Sequence, residues 1–274
     1  MIHWNADPEI FRIGFFALRW YSLFFMISFL IGIYIFNWIY KRENKPVADI
    51  DHLLIYMLLG TVIGARLGHC LFYDPGYYLS HPIKILKVWE GGLASHGAAI
   101  GILLALYLYS KKKKDQPFLW LTDRIVIVVA LAGSFIRLGN LFNSEIIGAP
   151  THVPWAFIFE RVDNIPRHPS QIYESLAYLI IFLILFFIYK RKGAATPKGY
   201  LFGLFLILVF GFRFFVEFLK APQEPFEQSL PLDMGQILSI PLVLLGVYLL
   251  LNLKRWNKPE TPKSSPRNPA RQKR

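Results

Sequence analysis

Apolar residues along this chain come in blocks about 20 residues long, the length a helix needs to cross a bilayer. A window of that size picks out about seven of them, near Phe15 to Tyr40, His52 to Tyr73, Ala94 to Ser110, Phe118 to Arg137, Ile172 to Tyr189, Gly199 to Phe218 and Met234 to Leu253. The pattern predicts an all-α polytopic membrane protein with about seven transmembrane helices. Residues 1–254 are expected to form a single seven-helix transmembrane domain, with a small extracytoplasmic insert between helices 4 and 5 at about 138–170. Composition agrees: at 54% hydrophobic, 16% aromatic and 18% charged, the chain is too apolar for an ordinary soluble domain of 274 residues.

The formal charge of +12 raises nucleic acid as a partner, and its placement argues against that. The basic residues sit in short runs directly after apolar blocks: "KRENK", "KKKK" (Lys111 to Lys114), "KRK" with Lys198, and the C-terminal run from Lys254. If every span crosses, all four fall on one side, which the positive-inside rule assigns to the cytoplasm. The N-terminus is then outside and the C-terminus inside. The opposite loops hold fewer cations, namely Lys84, Lys87, Arg161, Arg167 and Lys220. The opening "MIHWNADPEIFRIG" lacks the marks of a cleaved signal peptide, so the first span is expected to stay as an anchor. Residues 255–274, basic and rich in Pro and Ser, are expected to be a disordered cytoplasmic tail. The one cysteine, Cys70, excludes an intramolecular disulfide and reads as a small buried hydrophobe rather than a nucleophile.

Ionisable groups inside spans are costly and face a bundle interior or a cavity. Here they concentrate in the outward halves: Arg19 and Tyr21, Arg66 and His69, His96, Arg137, Gln171 and Glu174, Arg213 and Glu217. A working surface should therefore open toward the outer leaflet. Arg213 and Glu217 are four apart on one helix face and equally suit a structural pair. Asp123 and Arg124, near the other end of span four, are explained by snorkelling and stay outside the site.

In "VWEGGLASHGAAIG", glycines bracket His96 at a helix entrance. Glycine permits close approach of a second backbone or of a ligand, and free N–H groups at a helix start favour anions. His96 there is either a catalyst or a hydrogen-bonded structural residue. The seven histidines are scattered without metal-ligand spacing, and neither a Walker loop nor a G-x-S-x-G elbow occurs, so no metal or other cofactor is expected. Arginines, amides and a histidine facing an outer-leaflet cavity suit an anionic lipid headgroup.

The segment "RLGNLFNSEIIG", Arg137 to Gly148, resembles the signature of bacterial phosphatidylglycerol:prolipoprotein diacylglyceryl transferases. The resemblance extends in order through "LRWYSLFF", "GARLGHCLFY", "WEGGLASHGAAIG", "PRHPSQIYE", "GFRFFVEFLK" and "DMGQILSIP". It implies an inner-membrane enzyme that moves the diacylglyceryl group of phosphatidylglycerol onto the lipobox cysteine of a preprolipoprotein, releasing glycerol phosphate. By position it also implies His96, Arg137, Arg213 and Tyr21 as catalytic residues. Arg137, Arg213, Asn140, Asn143, Glu145, Gly148 and Glu217 become the phosphatidylglycerol-binding set. The chain departs from the pattern in a shorter insert before "PRHPSQ", and in Lys220, where relatives can carry arginine and its forked phosphate contact.

The chemistry this implies is displacement at an alkyl carbon by sulfur, with a phosphate ester leaving. A free thiol is only a few per cent ionised at neutral pH, so a base is needed, and imidazole is suited to that. Two guanidiniums can hold the phosphate. A transporter of anionic lipid or solute would use the same arginines without chemistry, but neither an inverted repeat nor paired broken helices is visible.

Overall fold

The computed structural model describes residues 1–14, 16–221 and 232–257. In chain order the elements are β1 (Ile2–Trp4), β2 (Glu9–Ile13), β3 (Phe16–Arg19), α1 (Trp20–Arg42), α2 (Asp49–Phe72), α3 (Pro75–Ser80) and α4 (Pro82–Ile85). There follow α5 (Ser95–Lys112), α6 (Phe118–Asn143), β4 (Phe157–Phe159), β5 (Pro166–Arg167), α7 (Ser170–Lys192), α8 (Tyr200–Val216), α9 (Met234–Leu251) and α10 (Leu253–Trp256). The chain is an all-α polytopic membrane protein with two small sheets added at one end.

Six helices among the described residues are long and apolar enough to cross a membrane: α1, α2, α6, α7 and α8 each with the turn after it, and α9. The remaining expected span forms α5, an 18-residue helix with Ser95 and His96 at one end and Ser110, Lys111 and Lys112 at the other. Its apolar middle is too short to reach the same hydropathy. Many of the helices' large apolar side chains are exposed, including Phe29, Leu59, Ile63, Leu104, Ile180 and Leu244. Lipid is the solvent that makes such faces stable.

Helix α6 is the centre of the bundle. Its buried apolar residues between Trp120 and Leu131 pack with Ile39 and Tyr40 of α1, Leu185 and Tyr189 of α7, and Leu201 and Phe205 of α8. Two seams are closer than side chains allow. A Cβ on Gly68 of α2 would lie 2.7 Å from Gly97 Cα of α5, and one on Gly246 of α9 would lie 2.7 Å from Gly203 O of α8. Small residues of this kind let membrane helices pack backbone to backbone.

The expected boundaries shift in two places. Residues 16–19, counted with the first span, are a strand that pairs antiparallel with β2, and α1 starts only at Trp20. A short apolar run carries no sign of which periodicity it will adopt. At the other boundary, α6 does not stop at Arg137 but continues to Asn143, where Ser144 turns left-handed at φ 55°. The insert is thus shorter at its start than 138–170. It is ordered by β4, which pairs parallel with β1 from the N-terminus and antiparallel with β5.

The basic runs gather at one end, as their spacing predicts. There Lys45 meets Asp115 at 3.0 Å, Lys113 meets Asp49 at 2.6 Å, and Arg42 donates to the Lys190 carbonyl at 2.8 Å. Snorkelling does not describe Asp123 and Arg124. Arg124 is 0% exposed, paired with Glu43 at 2.9 Å and stacked over Trp120. Tyr189 and Trp120 complete the hydrogen bonding of Glu43. Asp123 accepts from Gly199 N and Phe202 N, satisfying free N–H groups at the start of α8. Both were drawn inward because a neighbouring helix supplied the partner, which the chain order of α6 alone does not reveal. Cys70 is buried. The tail from residue 258 lies outside the described residues, and residues 253–256 ahead of it form one helical turn.

Candidate functional site

At the opposite end, the last two turns of α6 meet the start of α7 and the end of α8. Continued helix puts Arg137 and Asn140 one turn apart on the same face. Arg137 donates to Asn140 Oδ1 at 3.3 Å, and its Nε lies 3.2 Å from Glu174 Oε2 on α7. Asn140 and Asn143 both donate to Glu145 Oε1, at 2.7 and 3.1 Å, and Gln171 donates to the Glu145 carbonyl at 2.8 Å. The signature stretch is therefore folded back on itself by its own amides. Glu145 organises the turn through Oε1 and its carbonyl, and Glu174 rather than Glu145 lies at ion-pair distance from Arg137.

Arg213 on α8 pairs with Glu217 at 3.3 Å. Lys220, three residues on, reaches Glu174 at 3.2 Å and Glu217 at 3.3 Å. Three cations and two carboxylates thus form one connected group. Glu174 and Lys220 are almost fully enclosed, while Arg137 and Arg213 keep 13% and 31% of their side chains exposed. The open guanidiniums are the part of the group that can meet an incoming anion.

Gly148 is fixed by close packing. Its N–H donates to the His168 carbonyl at 3.1 Å, and a Cβ there would collide with His168. It also forms an antiparallel bridge with Lys220, flanked by Ala149 N to Leu219 O at 2.8 Å. Tyr21 lies in the first turn of α1 against Gly139, where a Cβ would sit 2.6 Å from the tyrosine ring. It is close enough to feel the charges of Glu145 and Arg137, and among the described residues its hydroxyl has no hydrogen-bond partner.

Of the residues expected from sequence, the fold therefore gathers Tyr21, Arg137, Asn140, Asn143, Glu145, Gly148, Arg213 and Glu217. His96 is not tied to them. It is the second residue of α5, exposed, and among the described residues its ring makes no hydrogen bond or ion pair. Its neighbouring glycines serve helix packing: Gly97 and Gly101 face the backbone of Gly60, Gly64 and Gly68. Gly92, at φ +72°, leaves room for His69 and Arg66. Arg66 is structural, since it donates to the carbonyls of Lys84, Ile85, Gly91 and Gly92 and so holds the loop that leads to α5. Arg19 belongs to the β2–β3 hairpin, 3.4 Å from Glu9.

Glu174 and Lys220 are the members of the group that sequence reading left outside the site. Each carried a signal: a carboxylate one turn into an apolar helix, and a lysine three residues beyond Glu217.

A family model for prolipoprotein diacylglyceryl transferase matches residues 8–252. The chain is similar to a phosphatidylglycerol–prolipoprotein diacylglyceryl transferase of Chloroherpeton thalassium, at 51% identity over 249 residues, covering 91% of this chain and 93% of the relative. A protein of the same description from Tolumonas auensis is 49% identical over 251 residues, covering 92% and 97%. One from Bacteroides fragilis is 45% identical over 261 residues, covering 91% and 94%.

Proposed function

The chain belongs to the prolipoprotein diacylglyceryl transferase family, and from that premise we propose that it transfers the diacylglyceryl group of phosphatidylglycerol to the lipobox cysteine thiol of preprolipoproteins. The observation that carries this is the pairing of two part-exposed guanidiniums, Arg137 and Arg213, in one charge-linked group at a single end of the bundle. As a family member it is a multi-pass membrane enzyme. Its site end faces the extracytoplasmic side, with the N-terminus outside and the basic end, with the C-terminus, in the cytoplasm, which the distribution of Lys and Arg supports. The membrane is the bacterial inner membrane.

In the reaction the thiol loses its proton, the sulfur lone pair forms a bond to the glyceryl carbon, and the carbon–oxygen bond to phosphate breaks. The electron pair leaves with the phosphate, so its negative charge rises by one as glycerol phosphate departs. Arginines that already hold the phosphate stabilise that added charge without reorganising. Arg137 enters hydrogen-bonded to Asn140 and at ion-pair distance from Glu174, with part of its guanidinium exposed to meet the phosphate. Asn143, Glu145 and Gly148 hold the turn that carries it, Glu217 orients Arg213, and Tyr21 has a hydroxyl available to the headgroup. His96 takes the thiol proton. Its exposure at the start of α5 suits a base that meets its substrate from outside the bundle.

The test is incubation of the purified protein with phosphatidylglycerol and a lipobox peptide. Glycerol phosphate release that requires the peptide's cysteine supports the transferase. Lipid binding without release supports a transporter and refutes the reaction.

A further inference from the structure

Lys220 is the most enclosed cation of the group, with 2% of its side chain exposed. Its Nζ lies between two carboxylate oxygens, Glu174 Oε1 at 3.2 Å and Glu217 Oε1 at 3.3 Å. Each carboxylate in turn lies at ion-pair distance from one arginine: Glu174 Oε2 is 3.2 Å from Arg137 Nε, and Glu217 Oε1 is 3.3 Å from an Arg213 terminal nitrogen. The five side chains alternate in sign from α6 through α7 to α8, with lysine at the midpoint. The backbone fixes that midpoint independently, because Lys220 bridges to Gly148, a position with no room for a side chain against His168.

We propose that Lys220 and Glu174 are positioning residues: a buried carboxylate–ammonium–carboxylate bridge sets the spacing and orientation of Arg137 and Arg213 without itself touching the lipid phosphate. This rests on the reading above that the two arginines hold the phosphate. Without the ammonium, two carboxylates would face each other in a low-dielectric interior. The strain is relieved only if one takes up a proton or swings away, and either event displaces the arginine that it holds. An arginine at 220 would keep the charge, and its fork could span both carboxylates. The lysine is then an equivalent bridge rather than a lost phosphate contact.

The experiment uses the full chain in phosphatidylglycerol vesicles with a lipobox peptide, reading glycerol phosphate release and thermal stability for K220M, K220R and K220M/E174Q. A shift of about 1 Å in a positioned group costs roughly 100-fold, so kcat/KM of K220M should fall by about that factor. K220R should stay within about fivefold of wild type, because charge and bridge persist. The double variant should regain about tenfold over K220M, since the amide that replaces the Glu174 carboxylate can donate to Glu217 and the facing charges are gone. A lysine that bound phosphate would leave the double variant no better than K220M. That result, or a K220M with near-normal turnover, overturns the proposal. If K220M does not fold, K220R and the double variant decide it: both must be active, and inactivity of either overturns it. A wild-type chain that releases no glycerol phosphate overturns the functional reading itself.

Discussion

The contact between α2 and α5 bears directly on His96, an expected catalytic residue whose ring makes no hydrogen bond or ion pair among the described residues. A Cβ added at Gly97 would lie 2.8 Å from Gly68 Cα and closer still to the Gly64 carbonyl oxygen. Carbon atoms in contact prefer about 3.5–4.0 Å, so Gly97→Ala must open the seam by roughly 1 Å. Neither partner can yield by rotating a side chain, because both are main chain. The packing cost is about 1–3 kcal/mol, typical of overfilled contacts. The larger effect should be on turnover, since His96 rides on the same first turn of α5 and a 1 Å displacement costs about 100-fold. Glycerol phosphate release by G97A should fall by about that factor, with phosphatidylglycerol still bound, because the arginine group lies on α6 to α8. Gly76→Ala is the control: a Cβ there meets nothing within 4 Å, and activity should be unchanged. If G97A expressed normally and kept its activity within about threefold, the seam would not be what places His96.

Arg137→Lys should lose about 100-fold or more in kcat/KM, because an ammonium cannot hold Glu174, Asn140 and a phosphate with one planar fork; undiminished turnover would remove the forked contact. His96→Gln should reduce turnover by about 10²–10⁴-fold and abolish the acid limb of the pH–rate profile, and a retained limb would assign the base elsewhere. At the other end, Arg124→Met strands Glu43 as a buried charge and should cost about 3–5 kcal/mol, read as a lowered melting temperature. Asp163, held below the usual carboxylate range by its hydrogen bonds to Arg167, binds its proton less readily folded than unfolded. Its contribution, under about 1 kcal/mol for a surface pair, is present above about pH 4 and lost as pH falls through the depressed native value. The melting temperatures of wild type and Asp163→Asn should therefore converge in acid.

Helix positions were legible in the chain because a bilayer-length apolar block has few alternatives in lipid, where backbone groups must bond within their own segment. The clustering of "KRENK", "KKKK" and "KRK" at one end followed from the parity of those blocks. The signature stretch showed which amides and charges were too costly to be idle. Sequence could not decide who pairs with whom. Glu145 could have been a partner of Arg137, yet it bonds Asn140 and Asn143, while Glu174, 37 positions beyond Arg137 in the chain, takes the arginine. Arg124 could have snorkelled, but Glu43 reached it from α1. The glycine after His96 could have been read only as room for a ligand, and Gly97 receives the backbone of α2. Burial cost is written in a residue's own chemistry and depth, so it can be read along one helix. The compensating charge or the backbone that fills the space comes from another helix, and only the packing of the bundle selects it.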